Sequence, residues 1–399
     1  MKVKQFLKSL CLYMPIFSGV IRERDKLRAD LNISNLERMD LIASLQRLEL
    51  EIDSLKVQSI MQPTEHSSVQ IDEYQNKLNQ EKENFKKNIN VHDLPAIFHY
   101  WSNKYLKPLL NEVGIESIDL FFANYLLEAS KNLSEHPRFI SIGSGNCELE
   151  IRVAVLLKEK GLKDFTLECL ELNSEMLDRG RQDAISKQVS DVMDFVSEDF
   201  NFWQPSKKYS AVIANHSLHH VTNLEGLFDA IKSSLNPNGY FVINDMIGRN
   251  GHQRWPEALV HLNKFWQELP ETYKFNRSLN RLEPDYINWD CSSEGFEGIR
   301  AEDILPLLIQ RFDFYLFVPF ANIISVFIDR CFGHNFDPNS ESDCSFIDRI
   351  HALDEELFQS GEIKPTQMFA VLTPCPCDTH IYSRGLSPIK SLRQPDKPT

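Results

Sequence analysis

The stretch that decides the fold is Ser141-Ile142-Gly143-Ser144-Gly145-Asn146-Cys147, where a short apolar run enters a glycine turn and a helical pattern follows directly. Glycine lets the backbone turn sharply and lets a ligand approach it closely. A G-x-G pair alone is a weak signal, and dinucleotide sites need a third glycine three residues further on. Glu148 stands there and would repel a pyrophosphate at the helix N-terminus. The loop therefore favours a ligand with a cationic centre and disfavours a nicotinamide-dependent oxidoreductase.

Strand and helix patterns alternate outward from this loop. We predict strands over Arg138–Gly143, Phe165–Glu171, Val192–Ser197, Tyr209–Asn215, Tyr240–Met246, Phe312–Pro319 and Gln367–Thr373, and helices over Glu148–Lys160, Ser174–Ser186 and Leu224–Leu235. This alternation predicts an α/β fold with a doubly wound, mostly parallel seven-stranded sheet. Ligands of such sheets bind at the carboxyl ends of the strands.

Polar side chains stand at each of the next strand ends. Glu171 ends the second strand, 28 residues after Gly143, where a carboxylate accepts hydrogen bonds from both ribose hydroxyls of a nucleoside. After the third strand, Asp199 is placed to accept from an adenine amine and Phe200 to offer its backbone. The fourth strand ends at Asn215. A single acid is as well explained by solvation, whereas the ordered set points to a nucleoside ligand.

These motifs resemble the class I S-adenosylmethionine-dependent methyltransferases over about residues 135–250. The resemblance implies S-adenosyl-L-methionine as the cofactor, with Gly143, Ser144, Gly145, Glu171, Leu172, Asp199, Phe200 and Asn215 as its binding residues. The chain departs from the family pattern at Ser141, where an acid is usual, and at Cys147, where a third glycine is usual. We expect Glu148 to compensate for the missing acid.

Histidines follow the fourth and fifth strands, where the methyl group is expected: His216, His219, His220 and His252. A hydroxyl acceptor gains from a base, and histidine suits that role because its ordinary pKa lies near neutrality. A structural role under a helix explains His219 and His220 equally well. We predict His219 or His252 as the catalytic base, with Asp245 and Arg254 orienting the acceptor, and we predict no metal site.

Charge and cysteine usage narrow the cellular setting. The net charge of -14 disfavours nucleic acid as a partner, since an acidic surface repels phosphate. The eight cysteines are scattered, and the Cys375-Pro376-Cys377 triplet is too tight and too isolated to predict a zinc site. Scattered thiols indicate a reducing compartment, so we expect a cytoplasmic protein. The apolar run Leu10–Ile21 is too short to span a bilayer but is compatible with weak membrane-surface association.

Three regions separate along the chain. Residues 1–90 are expected to be helical, with leucines at alternating spacings of three and four that predict a coiled coil over about 20–60, followed by a linker. We expect this helix to form a dimer or other homo-oligomer; packing on its own domain is the alternative. Residues 91–373 form the predicted methyltransferase domain, with a helical cap over 91–134 and a substrate-cap insertion over 250–311. A disordered tail is predicted for 374–399.

The predicted function is O-methylation of a small molecule or a sugar or glycan acceptor, because the polar and aromatic insertion suits a polyhydroxylated substrate. One alternative is an N-methyltransferase acting on an amine or a protein side chain, which the acidic surface would suit. Another is a non-catalytic coiled-coil scaffold with a degenerate cofactor domain. Only Ser141 and Cys147 support that second alternative.

Overall fold

The computed structural model describes residues 94–131 and 136–393, together with Tyr74. The predicted coiled coil, the linker and the apolar run near the N-terminus lie outside the described residues. The chain divides into two units, Met1–Gln80 and Glu81–Thr399, and every strand and helix named below belongs to the second unit.

The described residues contain ten β-strands. They are β1 (Arg138–Ile142), β2 (Thr166–Glu171), β3 (Met193–Ser197), β4 (Tyr209–Asn215), β5 (Leu235–Met246), β6 (Phe275–Asn276), β7 (Arg281–Leu282), β8 (Asp313–Phe320), β9 (Gln367–Thr373) and β10 (Ile381–Tyr382). β6 and β7 form a separate hairpin, and the other strands form one sheet in the order β10-β8-β9-β5-β4-β1-β2-β3. β9 is antiparallel to both neighbours and the other pairs are parallel. The predicted fold class is confirmed, with β10 added at one edge.

Ten α-helices accompany these strands in the described residues. They are α1 (Ala96–Trp101), α2 (Lys107–Asn111), α3 (Ile118–Ser130), α4 (Glu148–Glu159), α5 (Ser174–Ser186), α6 (Leu224–Ser234), α7 (Pro256–Glu268), α8 (Ala301–Arg311), α9 (Ile323–Ile328) and α10 (Glu341–Ser360). Several begin where a short polar side chain accepts an orphan N–H of the first turn, as Asn173 does at α5 and Ser340 does at α10. None of the described helices is both long enough and apolar enough to cross a membrane.

The central strands are apolar on both faces because helices cover both sides of the sheet. Alternate residues of β1 enter two different cores: Phe139 packs in one with Ile213 of β4, and Ile140 packs in the other with Val212. The sheet therefore fixes the ends of β1 and β4 side by side, with four residue pairs in parallel register. This register places the loops that follow the two strands at the same edge.

The C-terminal segment, residues 374–393, is ordered, so the predicted disordered tail is wrong for these residues. β10 pairs with β8 in parallel, and Arg384 contacts the carboxylate of Glu355 and the carbonyl of Pro319. Arg393 binds Glu257 at 2.7 Å. The prolines had suggested disorder, but they suit an extended segment that long-range ion pairs hold on the surface. Residues 394–399 lie outside the described part.

The substrate-cap prediction extended one helix too far. α8 packs in the same core as α6, with Leu308 and Ile231 both buried there. Arg300, just before α8, binds Glu225 at 2.6 Å. α8 is therefore one of the helices that flank the sheet. The insertion proper ends before residue 301.

Candidate active site

The glycine loop leaves β1 in a backbone conformation that requires glycine. Gly143 has φ +68 and Gly145 has φ +56, in the left-handed region. A Cβ added at Gly143 would lie 2.6 Å from Cβ of Ser217. Close contact with the chain after β4 is thus a second reason for glycine at position 143. The contact joins the predicted cofactor loop to the segment that carries the histidines.

Cys147 occupies the position where the family has a third glycine, and it keeps a glycine-like backbone with φ +59. Its side chain is fully buried. Room for that side chain comes from Gly180 of α5, where an added Cβ would lie 3.0 Å from both Cβ and Sγ of Cys147. The departure from the family pattern is therefore accommodated by a glycine on the neighbouring helix.

Glu171 lies against the glycine loop, at the end of β2. Its Oε2 accepts the N–H of Gly145 at 2.9 Å and its Oε1 accepts the N–H of Asn173 at 3.0 Å. Burial raises the pKa of Glu171, and these backbone donors oppose that shift. The structure thus brings the predicted ribose-binding carboxylate to the loop. Its ribose contact stays a prediction.

An acid does lie beneath the loop, but it is Glu150 and not the expected Glu148. The hydroxyl of Ser141 donates to Oε1 of Glu150 at 2.6 Å, and Oε2 has no hydrogen-bond partner among the described residues. Burial raises the pKa of Glu150 to about 7. Glu148 begins α4, whereas Glu150 points back under β1. The hydrogen-bonded pair of Ser141 and Glu150 therefore lies where the family usually has an acid on β1.

The remaining predicted cofactor residues cluster at the same edge. The ring of Phe200 lies 3.8 Å from the position a Cβ would take on Gly143. Asp199 accepts the N–H of Asn201 at 2.9 Å, and Asn215 accepts from Asn244 of β5 at 2.8 Å. Two further predicted residues, Ser144 and Leu172, are partly buried near the loop. Their contacts with an adenine or a methionine moiety stay predictions.

Asp245, at the end of β5, is fully buried, and its carboxylate is bonded to groups of the protein. Its Oδ2 accepts the N–H groups of Ser217 and Leu218 at 2.9 and 2.8 Å, and its Oδ1 lies 2.6 Å from Nδ1 of His219. These bonds hold the turn after β4 against the end of β5. Asp245 therefore positions His219, and its expected role in orienting the acceptor stays a prediction.

Arg254 is also buried and bonded to protein groups. Its guanidinium donates to the backbone carbonyls of Asn322 and His252 at 3.0 and 2.7 Å. The backbone N–H of Arg254 donates to Oδ1 of Asn288. It shapes the loop that carries His252. The expected contact of Arg254 with an acceptor stays a prediction.

Glu297 is the central residue of the histidine cluster, and no sequence motif singles it out. Its Oε1 lies 2.5 Å from Nε2 of His252 and 3.5 Å from Nε2 of His219, and its Oε2 lies 3.5 Å from Nε2 of His220. The loop that contains His252 and the loop that contains Glu297 meet where the backbone N–H of Gly251 donates to the carbonyl of Gly298 at 2.9 Å. The only local signal was an acid between the glycines at 295 and 298.

The cluster is an ion network. Burial lowers the pKa of His219, but the carboxylates of Asp245 and Glu297 outweigh it and raise that pKa to about 10. Burial raises the pKa of Asp245, and His219 brings it down to about 2. Burial also raises the pKa of Glu297, yet His219 and His252 hold it well below its usual range. At neutral pH the network therefore contains a cationic His219 between two carboxylates.

Side chains of this cluster are close enough to offer ligands to a cation. One ligand atom each of His219, His220 and Glu297 lies within 4.8 Å of the others, and the same holds for His216, His219 and Asp245. Both ring nitrogens of His219 already face carboxylates. A metal ion would have to replace these ion pairs.

The strand order, the glycine loop and the acid at the end of β2 are those expected of a methyltransferase fold. Residues 115–301 match the family model described as a methyltransferase domain. This match supports a class I S-adenosylmethionine-dependent methyltransferase domain in this part of the chain.

Individual relatives are distant. The chain is 28% identical over 111 residues to malonyl-[acyl-carrier protein] O-methyltransferase 2 of Ilyobacter polytropus, a match that covers 27% of this chain and 41% of that enzyme. The match thus spans less than half of the relative's length.

Two solved structures illustrate the structural neighbours. The O-methyltransferase from a trans-AT PKS multienzyme of Brevibacillus brevis, in complex with S-adenosyl-L-homocysteine, is 14% identical. That comparison covers 73% of this chain and 83% of the other, with a TM-score of 0.39. Geranyl diphosphate C-methyltransferase from Streptomyces coelicolor A3(2) is 11% identical. That comparison covers 64% of this chain and 77% of the other, with a TM-score of 0.36.

Proposed function

We propose that the chain transfers a methyl group from S-adenosylmethionine to a hydroxyl oxygen of a small-molecule or glycan-like acceptor. The observation that carries this proposal is the hydrogen bond of 2.5 Å between His252 and Glu297 at the edge that also holds the glycine loop. A hydroxyl must lose its proton as it is methylated, so a histidine held by a carboxylate suits it as a base. A neutral amine has less need of such a base, which favours the O-methyltransferase over the N-methyltransferase.

S-adenosylmethionine supplies an electrophilic methyl group on a sulfonium sulfur. Glu171 would hold the ribose hydroxyls, and the glycine loop would hold the amino-acid end. The buried Oε2 of Glu150, which has no partner in the described part of the chain, fits a cofactor with an ammonium group, because an unpaired buried carboxylate oxygen is costly.

His252 is the base in this proposal, and Glu297 orients it. The side chain of His252 is 23% exposed, whereas that of His219 is 4% exposed. As the acceptor oxygen bonds to the methyl group and the methyl–sulfur bond breaks, the hydroxyl proton would pass to Nδ1 of His252, because Nε2 is bonded to Glu297. The anionic Glu297 would then stabilise the imidazolium. The cationic His219, held by Asp245, keeps Glu297 ionised and in place.

His219 is the second candidate for the base, because Asp245 holds its Nδ1 as the carboxylate of a catalytic triad holds its histidine. Its Nε2 faces Glu297. The pH dependence of kcat/KM separates the two histidines. A pKa of about 10 means that His219 must lose its proton to act as a base. The rate would then keep rising up to about pH 10. A plateau reached well below that pH favours His252 over His219.

The direct test uses the full chain with methyl-labelled S-adenosylmethionine and paired hydroxyl and amine acceptors, with mass spectrometry of the products. Because one relative is named for malonyl-[acyl-carrier protein], that substrate joins the panel. We expect the label on oxygen. Label found on nitrogen alone supports the N-methyltransferase. Absence of both S-adenosylhomocysteine binding and product supports the scaffold alternative.

Site variants test the base. His252→Ala should lower kcat by about 10²–10⁴-fold, the usual contribution of a general base, with S-adenosylhomocysteine affinity unchanged. His261→Ala is the matched control, because Nε2 of His261 lies 2.6 Å from Oε1 of Glu362 in a similar pair outside the cluster. An equal effect of both variants contradicts the proposal.

We also propose that residues 20–60 make the protein a homo-oligomer. The leucine spacing of that segment supports this assignment. Light scattering of the full chain should give a mass of two or more subunits. A monomeric mass at micromolar concentration would exclude it.

A further inference from the structure

A cluster of three side chains with metal-binding chemistry lies at the other end of the sheet from the histidines. Asp313 begins β8, and Cys377 and His380 lie between β9 and β10. One ligand atom of each residue lies within 4.8 Å of the other two. The N–H of Cys377 donates to Oδ2 of Asp313 at 2.8 Å, and Sγ of Cys377 lies 3.8 Å from Nδ1 of His380.

We propose that Asp313, Cys377 and His380 bind a zinc ion that fastens the C-terminal segment to the edge strand β8. Thiolate, imidazole and carboxylate are the groups with which proteins hold zinc, whereas calcium and magnesium take oxygen ligands. Ligand atoms of a tetrahedral zinc ion lie roughly 3.3–3.8 Å apart, given bonds of about 2.0–2.3 Å, and a water molecule would take the fourth position here. The present spacing reaches that geometry through shifts of about an ångström in side chains at the surface.

Two backbone contacts prepare the ligands. Nδ1 of His380 lies 2.8 Å from the carbonyl of Phe314, and Oδ1 of Asp313 accepts the N–H of Phe314 at 3.1 Å. The carbonyl of Phe314 holds the ring of His380 beside Cys377; an ion bound through Nδ1 would replace this hydrogen bond, and an ion bound through Nε2 would keep it as an outer-shell contact. The Cys377 thiol would release its proton to solvent when the ion binds.

In the sequence, the cysteine triplet is too isolated to predict zinc because Asp313 lies 64 residues before Cys377. The sheet supplies the missing ligand by placing β8 next to β10. The segment so fastened also carries Arg393, which binds Glu257 in the first turn of α7. α7 begins two residues after Arg254, so the zinc ion would stabilise a helix adjoining the loop of His252.

The test uses the full chain, reduced and stripped of metal with EDTA, titrated with cobalt(II) as a spectroscopic substitute for zinc. We expect one equivalent to give a thiolate-to-cobalt charge-transfer band. Added zinc should displace it. The cysteine variants make the band specific, because the two groups of possible ligands around His219 include no cysteine. Cys377→Ser should abolish the band, and Cys375→Ser, two residues away, should keep it.

His380→Ala serves as a second variant should Cys377→Ser fail to fold, since His380 is exposed. It should lower zinc affinity by more than the roughly 10–100-fold lost with an outer-shell partner. Zinc should raise the melting temperature of the wild-type chain and leave that of either ligand variant unchanged. No thiolate band in the reduced wild type, or a band that survives Cys377→Ser, overturns the proposal.

Discussion

Nε2 of His252 lies 2.5 Å from Oε1 of Glu297, a residue 45 positions further along the chain. The same carboxylate lies 3.5 Å from Nε2 of His219, whose Nδ1 is bonded to Asp245. Acids and imidazoles therefore alternate from the buried end of β5 to the side chain of Glu297, which is 43% exposed. In the proposed function, an acceptor hydroxyl meets the base at the exposed end of this network.

A shared carboxylate predicts that His252 and Glu297 act as one unit. Glu297→Gln and His252→Ala should each lower kcat/KM by about 10²-fold or more. The double variant should be only slightly slower than the slower single variant, because effects within a catalytic unit do not add. A double-mutant cycle measures this coupling. Additive losses in ΔΔG‡ would show that the two side chains act separately.

Glu171→Ala should lower the affinity for S-adenosylhomocysteine by about 1–3 kcal/mol, the cost of leaving polar groups unpaired. The matched control is Glu168→Gln on the same strand, whose carboxylate binds Lys207 at 2.7 Å and Tyr209 at 2.9 Å, away from the glycine loop. The control should lower the free energy of unfolding and leave the affinity unchanged. Calorimetry that finds equal affinity losses contradicts the cofactor role of Glu171.

We predict that the free energy of unfolding falls as the pH rises, because Glu150 has a raised pKa. Its pKa is raised by burial from 4.5 to about 7, so its contribution is fully present below about pH 4.5 and is lost as the pH rises through about 7. The shift corresponds to an upper limit of about 3 kcal/mol. The free energy of unfolding in urea should therefore differ less between pH 5 and pH 8 for Glu150→Gln than for the wild type. The Glu148→Gln control should keep the wild-type difference between the two pH values. If Glu150→Gln also keeps it, the raised pKa does not belong to Glu150.

Gly143→Ala should lower the free energy of unfolding by at least about 2 kcal/mol, because it combines left-handed backbone strain with a contact of 2.6 Å to Ser217. Gly161→Ala is the control, since Gly161 has φ +96 but no atom within 4 Å of an added Cβ. It should cost only the backbone part, about 1–2 kcal/mol. Adding Ser217→Gly to Gly143→Ala should restore the contact part. No recovery on thermal unfolding would mean that the contact with Ser217 is not the cause.

The elements of the sheet could be predicted because their signals are local. β4, β9 and α5 have the bounds that the sequence predicts. β5 begins earlier than predicted, at Leu235, because the turn Asn236–Gly239 forms an irregularity within the strand, where the register against β4 shifts. Apolar runs, glycine turns and helix caps are set by neighbours a few residues apart, so a single sequence displays them.

By itself, the sequence determined the class of fold, the edge at which we expect the cofactor and the position of Glu171, since each depends on the order of strands and on side chains at their ends. Only the tertiary structure decided which acids serve the site. Glu150 reaches Ser141 through the turn of α4, and Glu297 reaches His252 across two loops. Asp313 meets Cys377 and His380 for the same reason. Contacts between residues 45 or 64 positions apart arise from the packing of whole elements, which no short pattern in the sequence records.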